Sequence, residues 1–195
     1  MRRRLVNTGA IAIVATLLSL GFAGNASAQG FVSPIIGYDF GGDAGCPNLT
    51  GCEDKKRNIG IAFGSMGSFL GFEEELAYAK NFLGTAPGLS SSVLTTMSNV
   101  MVVPSIGPVR PYALIGLGLI KTHAELTPSA VLTTTNNNFG WDVGGGLMLF
   151  FGPHVGLRGD IRYFHAFQNL TVLGFTVAGT TLDFARAGAG LVLEF

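Results

Sequence analysis

Between Phe139 and Phe151 the chain reads FGWDVGGGLMLFF, and its apolar residues recur with period two. Trp141, Val143, Gly145, Leu147, Leu149 and Phe151 share one face of an extended strand. Asp142, Gly144, Gly146, Met148 and Phe150 share the other. Past residue 28 no apolar run approaches the roughly 20 residues that a helical membrane span needs. Yet the chain is 48% hydrophobic and only 12% charged, where soluble domains run at about 25% charged. Inside a bilayer only helices and closed barrels satisfy their own backbone groups. The choice is therefore between a membrane barrel and a soluble β protein. Twelve basic residues balance twelve acidic ones, which argues against nucleic-acid binding, and the apolar content argues against disorder.

The first 28 residues read as a targeting segment. Arg2, Arg3 and Arg4 precede the apolar run Ala10 to Leu20, and Ala26-Ser27-Ala28 supplies a small-residue cleavage site. This is the grammar of a secretory signal peptide, too short in its apolar part for a span. It predicts cleavage between Ala28 and Gln29, leaving one β-barrel domain over residues 29–195. Gln29 is not Cys, which argues against a lipid-anchored lipoprotein.

Alternation continues downstream. In VGLRGDIRYFHAF, Val155, Leu157, Gly159, Ile161 and Tyr163 oppose Gly156, Arg158, Asp160, Arg162 and Phe164. A soluble sheet would turn the charges to water. A small membrane barrel would turn them inward and the apolar set to lipid. Alternation alone does not choose. In the final stretch, TTLDFARAGAGLVLEF, Arg186, Gly188, Gly190, Val192 and Glu194 oppose a set ending at Phe195. Earlier strands are expected near 31–40, 58–65, 69–81, 92–104 and 109–123, the last with Arg110 and Tyr112 on one face. Trp141 and Phe151 would stand roughly 25 Å apart along a membrane normal, the height of an apolar band with an aromatic girdle at each edge. Glu73, Glu74 and Glu75 cannot all point inward. Either one faces lipid or a bulge re-aims it.

Connections alternate in length. Residues 41–57, 82–91, 125–138 and 169–179 read as long, and 65–68, 105–108 and 152–154 as short turns. Four long and three short connections predict an all-β, eight-stranded, antiparallel up-and-down transmembrane β-barrel with both termini on the short-turn side.

The stretches VRPYALIGLGL (from Val109), FGWDVGGGLMLFFGPHVGLRGDIRYF (from Phe139), SNVMVVPS and the terminal GLVLEF resemble the small bacterial outer-membrane β-barrel family, the porin-like proteins with an OmpA/OmpX-type barrel. The resemblance covers the whole mature chain and is strongest over residues 98–195. It implies the bacterial outer membrane as location and outer-membrane lipid as surroundings. It implies that the barrel-assembly machinery reads the C-terminal strand ending at Phe195. It implies a structural, adhesive or surface-binding role through four exposed loops. A narrow-pore porin passing ions or small solutes is the alternative. A secreted, lipocalin-like ligand carrier is a third reading, opposed by the loop asymmetry, the terminal Phe and the inward charges.

Several residues are candidate sites. Cys46 and Cys52 read as a disulfide pinning the first loop, because exported chains meet an oxidising space. A metal site there lacks a nearby His and enough thiolates. Arg110, Asp142, Arg158, Asp160, Arg162, Arg186 and Glu194 are expected inside the barrel, with some of Glu73 to Glu75. An eight-stranded lumen is just wide enough for side chains to fill, so paired Arg and carboxylates would plug it. A charge-lined ion path is the rival. The stretch RYFHAFQNL resembles the outer-membrane lipid A deacylases, whose His is followed two residues later by a nucleophilic Ser. Phe167 stands there, so the carry-over fails and no enzyme is predicted. No cofactor is expected.

Overall fold

The computed structural model describes residues 28–42, 55–82, 89–126, 132–172 and 175–195. The leader, with the exception of Ala28, and both cysteines lie outside them. Ala28 is exposed and belongs to no strand, and Gln29 opens the first strand. The strands are β1 (Gln29–Phe40), β2 (Lys55–Met66), β3 (Leu70–Lys80), β4 (Leu89–Val102), β5 (Val109–Leu126), β6 (Leu132–Phe150), β7 (Val155–Val172) and β8 (Phe175–Glu194). Each pairs antiparallel with its neighbours in sequence, and β8 pairs with β1, closing a barrel. Closure removes the free edges that a flat sheet would leave. Phe195 completes the seam: its N–H donates to the Gly30 carbonyl at 2.9 Å, and its carbonyl accepts from Gly30 at 3.1 Å.

The period-two pattern becomes the inside and outside of the wall. Ile36, Ile59, Ile115, Leu117 and Ile161 are among the large apolar residues left exposed on the outer face. In a protein surrounded by water such a surface would be an aggregation hazard, whereas lipid covers it without cost. Between β4 and β5 the turn is closed by Ile106 and Val109, and Gly107 takes φ 63°, a left-handed conformation that glycine adopts without strain.

Two of the expected long connections are mostly strand. β5 runs to Leu126 and β6 starts at Leu132, where residues 125–138 were expected to loop. β7 runs to Val172 and β8 starts at Phe175, within the expected 169–179 loop. These ends are rich in Thr, Val and Phe, which favour extended backbone. The β5–β6 end is rich in Thr and Asn and carries no apolar alternation, whereas the β7–β8 end keeps one, Leu170 and Val172 alternating with Asn169 and Thr171 and Phe175 and Val177 flanking Thr176. The two hairpins also part from each other. β6 and β7 pair only as far as Gly140–Ala166, while β5 and β6 continue to Leu126–Leu132.

Inside, two apolar layers sandwich a charged one. Towards the short turns lie Phe31, Ile35, Met66, Met101, Met148 and Phe150. Towards the long connections lie Phe82, Met97, Ile120, Phe164, Leu182 and Phe184.

Candidate functional site

The charged layer is assembled by strand parity. On β7, Arg158, Asp160 and Arg162 stand on one inward face, and on β3 so do Glu73 and Glu75. In a closed ring of eight, β3 and β7 are half a turn apart. Their side chains meet across the full width of the lumen. Arg158 Nη1 lies 2.7 Å from Glu73 Oε2. Arg162 Nη2 lies 2.8 Å from Glu73 Oε1, and its Nη1 lies 2.9 Å from Glu75 Oε2. Arg186 on β8 continues the chain, with Nη1 2.9 Å from Glu75 Oε1 and Nε 2.6 Å from Asp39 Oδ1. The result is an unbroken relay from Arg158 through Glu73, Arg162, Glu75 and Arg186 to Asp39.

Neutral groups complete the layer. The Tyr112 hydroxyl donates to Asp160 Oδ2 at 2.5 Å and accepts from Arg158 Nη2 at 2.8 Å. Asn58 Nδ2 donates to Asp39 Oδ1 at 2.8 Å. With its amide turned so that the nitrogen faces Asp142, Asn99 bridges Asp142 and Arg162, donating to the first at 2.8 Å and accepting from the second at 3.2 Å. Asp142 Oδ2 stands 3.7 Å from Arg162 Nη1. The guanidinium of Arg186 also lies over the Phe164 ring, 4.7 Å from its centroid, tying the charged layer to the aromatic one above it. Phe164 stacks on Phe184 at 4.7 Å, and Phe82 meets Phe184 edge-on at 4.9 Å.

Arg110 and Glu194 stand apart from this relay. They pair with each other near the short-turn end, where the Arg110 guanidinium lies 4.3 Å from the centroid of the Phe150 ring.

The three consecutive glutamates are resolved without a bulge. Register along β2–β3 and β3–β4 is continuous. Glu73 and Glu75 point inward, and Glu74 lies on the outer face, where the Ser98 hydroxyl bonds its oxygens at 2.7 and 2.9 Å. Asp39 was missed as a site residue. Its signal was present, since it shares the odd-numbered parity of Phe31, Ser33 and Ile35 on β1.

His165 stands on the outer wall. Its Nδ1 is 2.5 Å from Asp183 Oδ1, and its ring lies 5.6 Å from that of Trp141, which is 5.8 Å from Tyr163. His123 Nδ1 is 3.1 Å from Thr135 Oγ1, and His154 Nδ1 is 3.1 Å from the Glu194 carbonyl. Among the described residues no cluster of three or more His, Cys, Asp and Glu is arranged to hold a metal ion.

A closed, eight-stranded, lipid-walled barrel with a charged interior defines a small outer-membrane protein. The chain belongs to the outer membrane protein beta-barrel domain family, which matches residues 13–195. It is a protein of the bacterial outer membrane. Solved structures of similar fold include Neisserial surface protein A, 19% identical, with 85% of this chain and 97% of that chain covered and a TM-score of 0.62. OprG from Pseudomonas aeruginosa is 14% identical, with 90% and 99% covered and a TM-score of 0.59. Ail, the attachment invasion locus protein of Yersinia pestis, is 12% identical, with 85% and 99% covered and a TM-score of 0.53. At such identities the likeness establishes the fold alone. No curated protein sequence matches the chain.

Proposed function

We propose that this barrel is a closed anchor with a structural, adhesive or other surface-interaction role, carried by its four outer connections, and that its lumen is plugged by charged side chains. The carrying observation is the pair of bridges from Arg162 on β7 to Glu73 and Glu75 on β3, which cross the lumen between opposite strands. Inward glycines leave little passage beside them. A Cβ on Gly146 would come within 2.6 Å of Asp160 Cβ and 2.8 Å of the Tyr112 ring. A barrel of this fold carries an attachment protein's name in Yersinia pestis, which accords with an adhesive role. The reading is non-enzymatic, because Phe167 occupies the place where a nucleophile would be needed beside His165. Outer-membrane lipid surrounds the wall, and the barrel-assembly machinery meets the strand ending at Phe195.

The test is single-channel recording of the refolded barrel in a planar bilayer, with insertion verified by heat-modifiable migration. A silent, inserted barrel is the expected result. Steady, reproducible current steps would overturn the plug and establish the narrow-pore alternative.

A further inference from the structure

Each of the four arginines inside the barrel is matched by a carboxylate. On the outer wall the opposite holds. Lys55, Arg57, Lys80 and Lys121 are exposed near the loop ends of their strands, and none forms an ion pair among the described residues. At the short-turn end the described lipid-facing positions carry no Asp, Glu, Lys or Arg. Among the described outward-facing residues, unmatched positive charge therefore gathers at the loop-side rim.

Two of these cations are neighbours. β2 and β3 pair as far as Asn58–Ala79, and Arg57 and Lys80 are the next residues outward on the two strands. Beside Arg57 a groove of about 580 Å³ opens on the outer wall. Ile36, Tyr38 and Ile59 border it, and Ala187 and Ala189 line it with nothing larger than a methyl group. Gly37 and Gly188, paired across β1 and β8, contribute only backbone to its floor, their side-chain positions facing the lumen. The groove opens onto a surface that lipid already covers, so acyl chains are the molecules that reach it. Arg57 at its edge, with Lys80 on the next strand, favours an anionic headgroup. The Arg fork and the Lys point charge suit the oxygens of a phosphate.

We propose that Arg57, Lys80 and this groove form a binding site for one outer-leaflet lipid with a phosphorylated headgroup. The phosphate lies on the two cations and one acyl chain lies in the groove. Arg57 and Lys80 reach the headgroup level by extending their alkyl stems along the wall.

The test uses the folded barrel in phosphatidylcholine nanodiscs doped with diphosphorylated lipid A or with its dephosphorylated counterpart. Bound lipid is then counted by native mass spectrometry after detergent release. The wild type is expected to retain the phosphorylated lipid in preference to the other. Arg57→Gln with Lys80→Gln should lower retention by roughly tenfold or more, the loss of charge-assisted hydrogen bonds. Ala187→Phe, which fills the groove and keeps both cations, should lower it as well. Lys121→Gln, away from the groove, should leave it unchanged. Heat-modifiable migration reports folding of every variant. Equal retention of both lipids, or retention untouched by the double and groove-filling variants, overturns the site. Displacement of the lipid by inorganic phosphate alone would overturn the acyl-chain half and leave an anion site.

Discussion

Arg162 places Nη2 2.8 Å from Glu73 and Nη1 2.9 Å from Glu75, on the strand diametrically opposite its own. The two bridges brace the barrel across its width, and all three side chains are buried. Removing one partner of a buried network leaves the others as uncompensated charge, a cost of about 3–5 kcal/mol. Arg162→Ala is expected to lose stability of that order, measured by urea unfolding of the barrel in lipid vesicles. Arg110→Ala should lose less, because the Arg110 side chain is 21% exposed and pairs outside the relay. Equal losses from the two variants would remove the special standing of the cross-lumen pair.

Glycine positions inside the barrel are set by what already fills the space. A Cβ on Gly116 would fall 1.8 Å from the Asn99 amide and 2.6 Å from Asp142 Oδ1. Gly159 faces outward, and its added Cβ would meet nothing nearer than the Gly188 carbonyl at 3.8 Å. Gly116→Ala should therefore destabilise by roughly 1–3 kcal/mol, the usual cost of overpacking. Gly159→Ala should be near neutral. The urea midpoints of both variants, read against the wild type, check this.

Ion selectivity tests the plug from the other direction. The central layer sets Arg158, Arg162 and Arg186 against Asp39, Glu73, Glu75, Asp142 and Asp160. Replacing Arg158 and Arg162 by Ser would leave five carboxylates against Arg186 and free the space of two guanidinium groups. Rings of carboxylates pass cations. The double variant is expected to show small, cation-selective current steps where the wild type is silent. Reversal potentials in a salt gradient give the sign, and an anion-selective or silent variant would contradict this reading of the layer.

The arrangement was legible where one residue's parity decides its side. Along β7 and β8 apolar and charged residues alternate so cleanly that the two faces follow from the spacing of Arg158, Asp160, Arg162 and Arg186, and closure of the barrel turns the charged one inward. The three glutamates were not resolvable that way. Glu74 is tolerated on the outer face through Ser98, 24 residues away, and such a partner is set by register between strands. The pairing of Arg162 with Glu73 is equally long-range, 89 residues apart, and depends on which strands become opposite after closure. The outer ends of β5 and β6 are Thr- and Asn-rich without apolar alternation, and those of β7 and β8 hold only a short alternation interrupted by Gly174 and Gly179, so their composition reads as loop.

Those outer ends supply the last test. β5 and β6 pair with each other out to Leu126–Leu132, well beyond the last β6–β7 pair at Gly140–Ala166. The hairpin tip thus shares no ladder with β7, and near the junction the Phe139 N–H donates to Gln168 Oε1 at 3.2 Å. Barrel closure and the charged layer lie below it. Replacing residues 125–133 by Asn-Gly, a two-residue turn suited to a hairpin, should shorten the projection to the Ala124–Thr134 pair and leave the barrel intact. Heat-modifiable migration and the urea midpoint are expected to stay within about 0.5 kcal/mol of the wild type, as for changes away from packed features. Adhesion of cells displaying the barrel should fall if this hairpin carries the surface contact. Loss of the folded, fast-migrating form would instead make the hairpin part of the barrel's own stability.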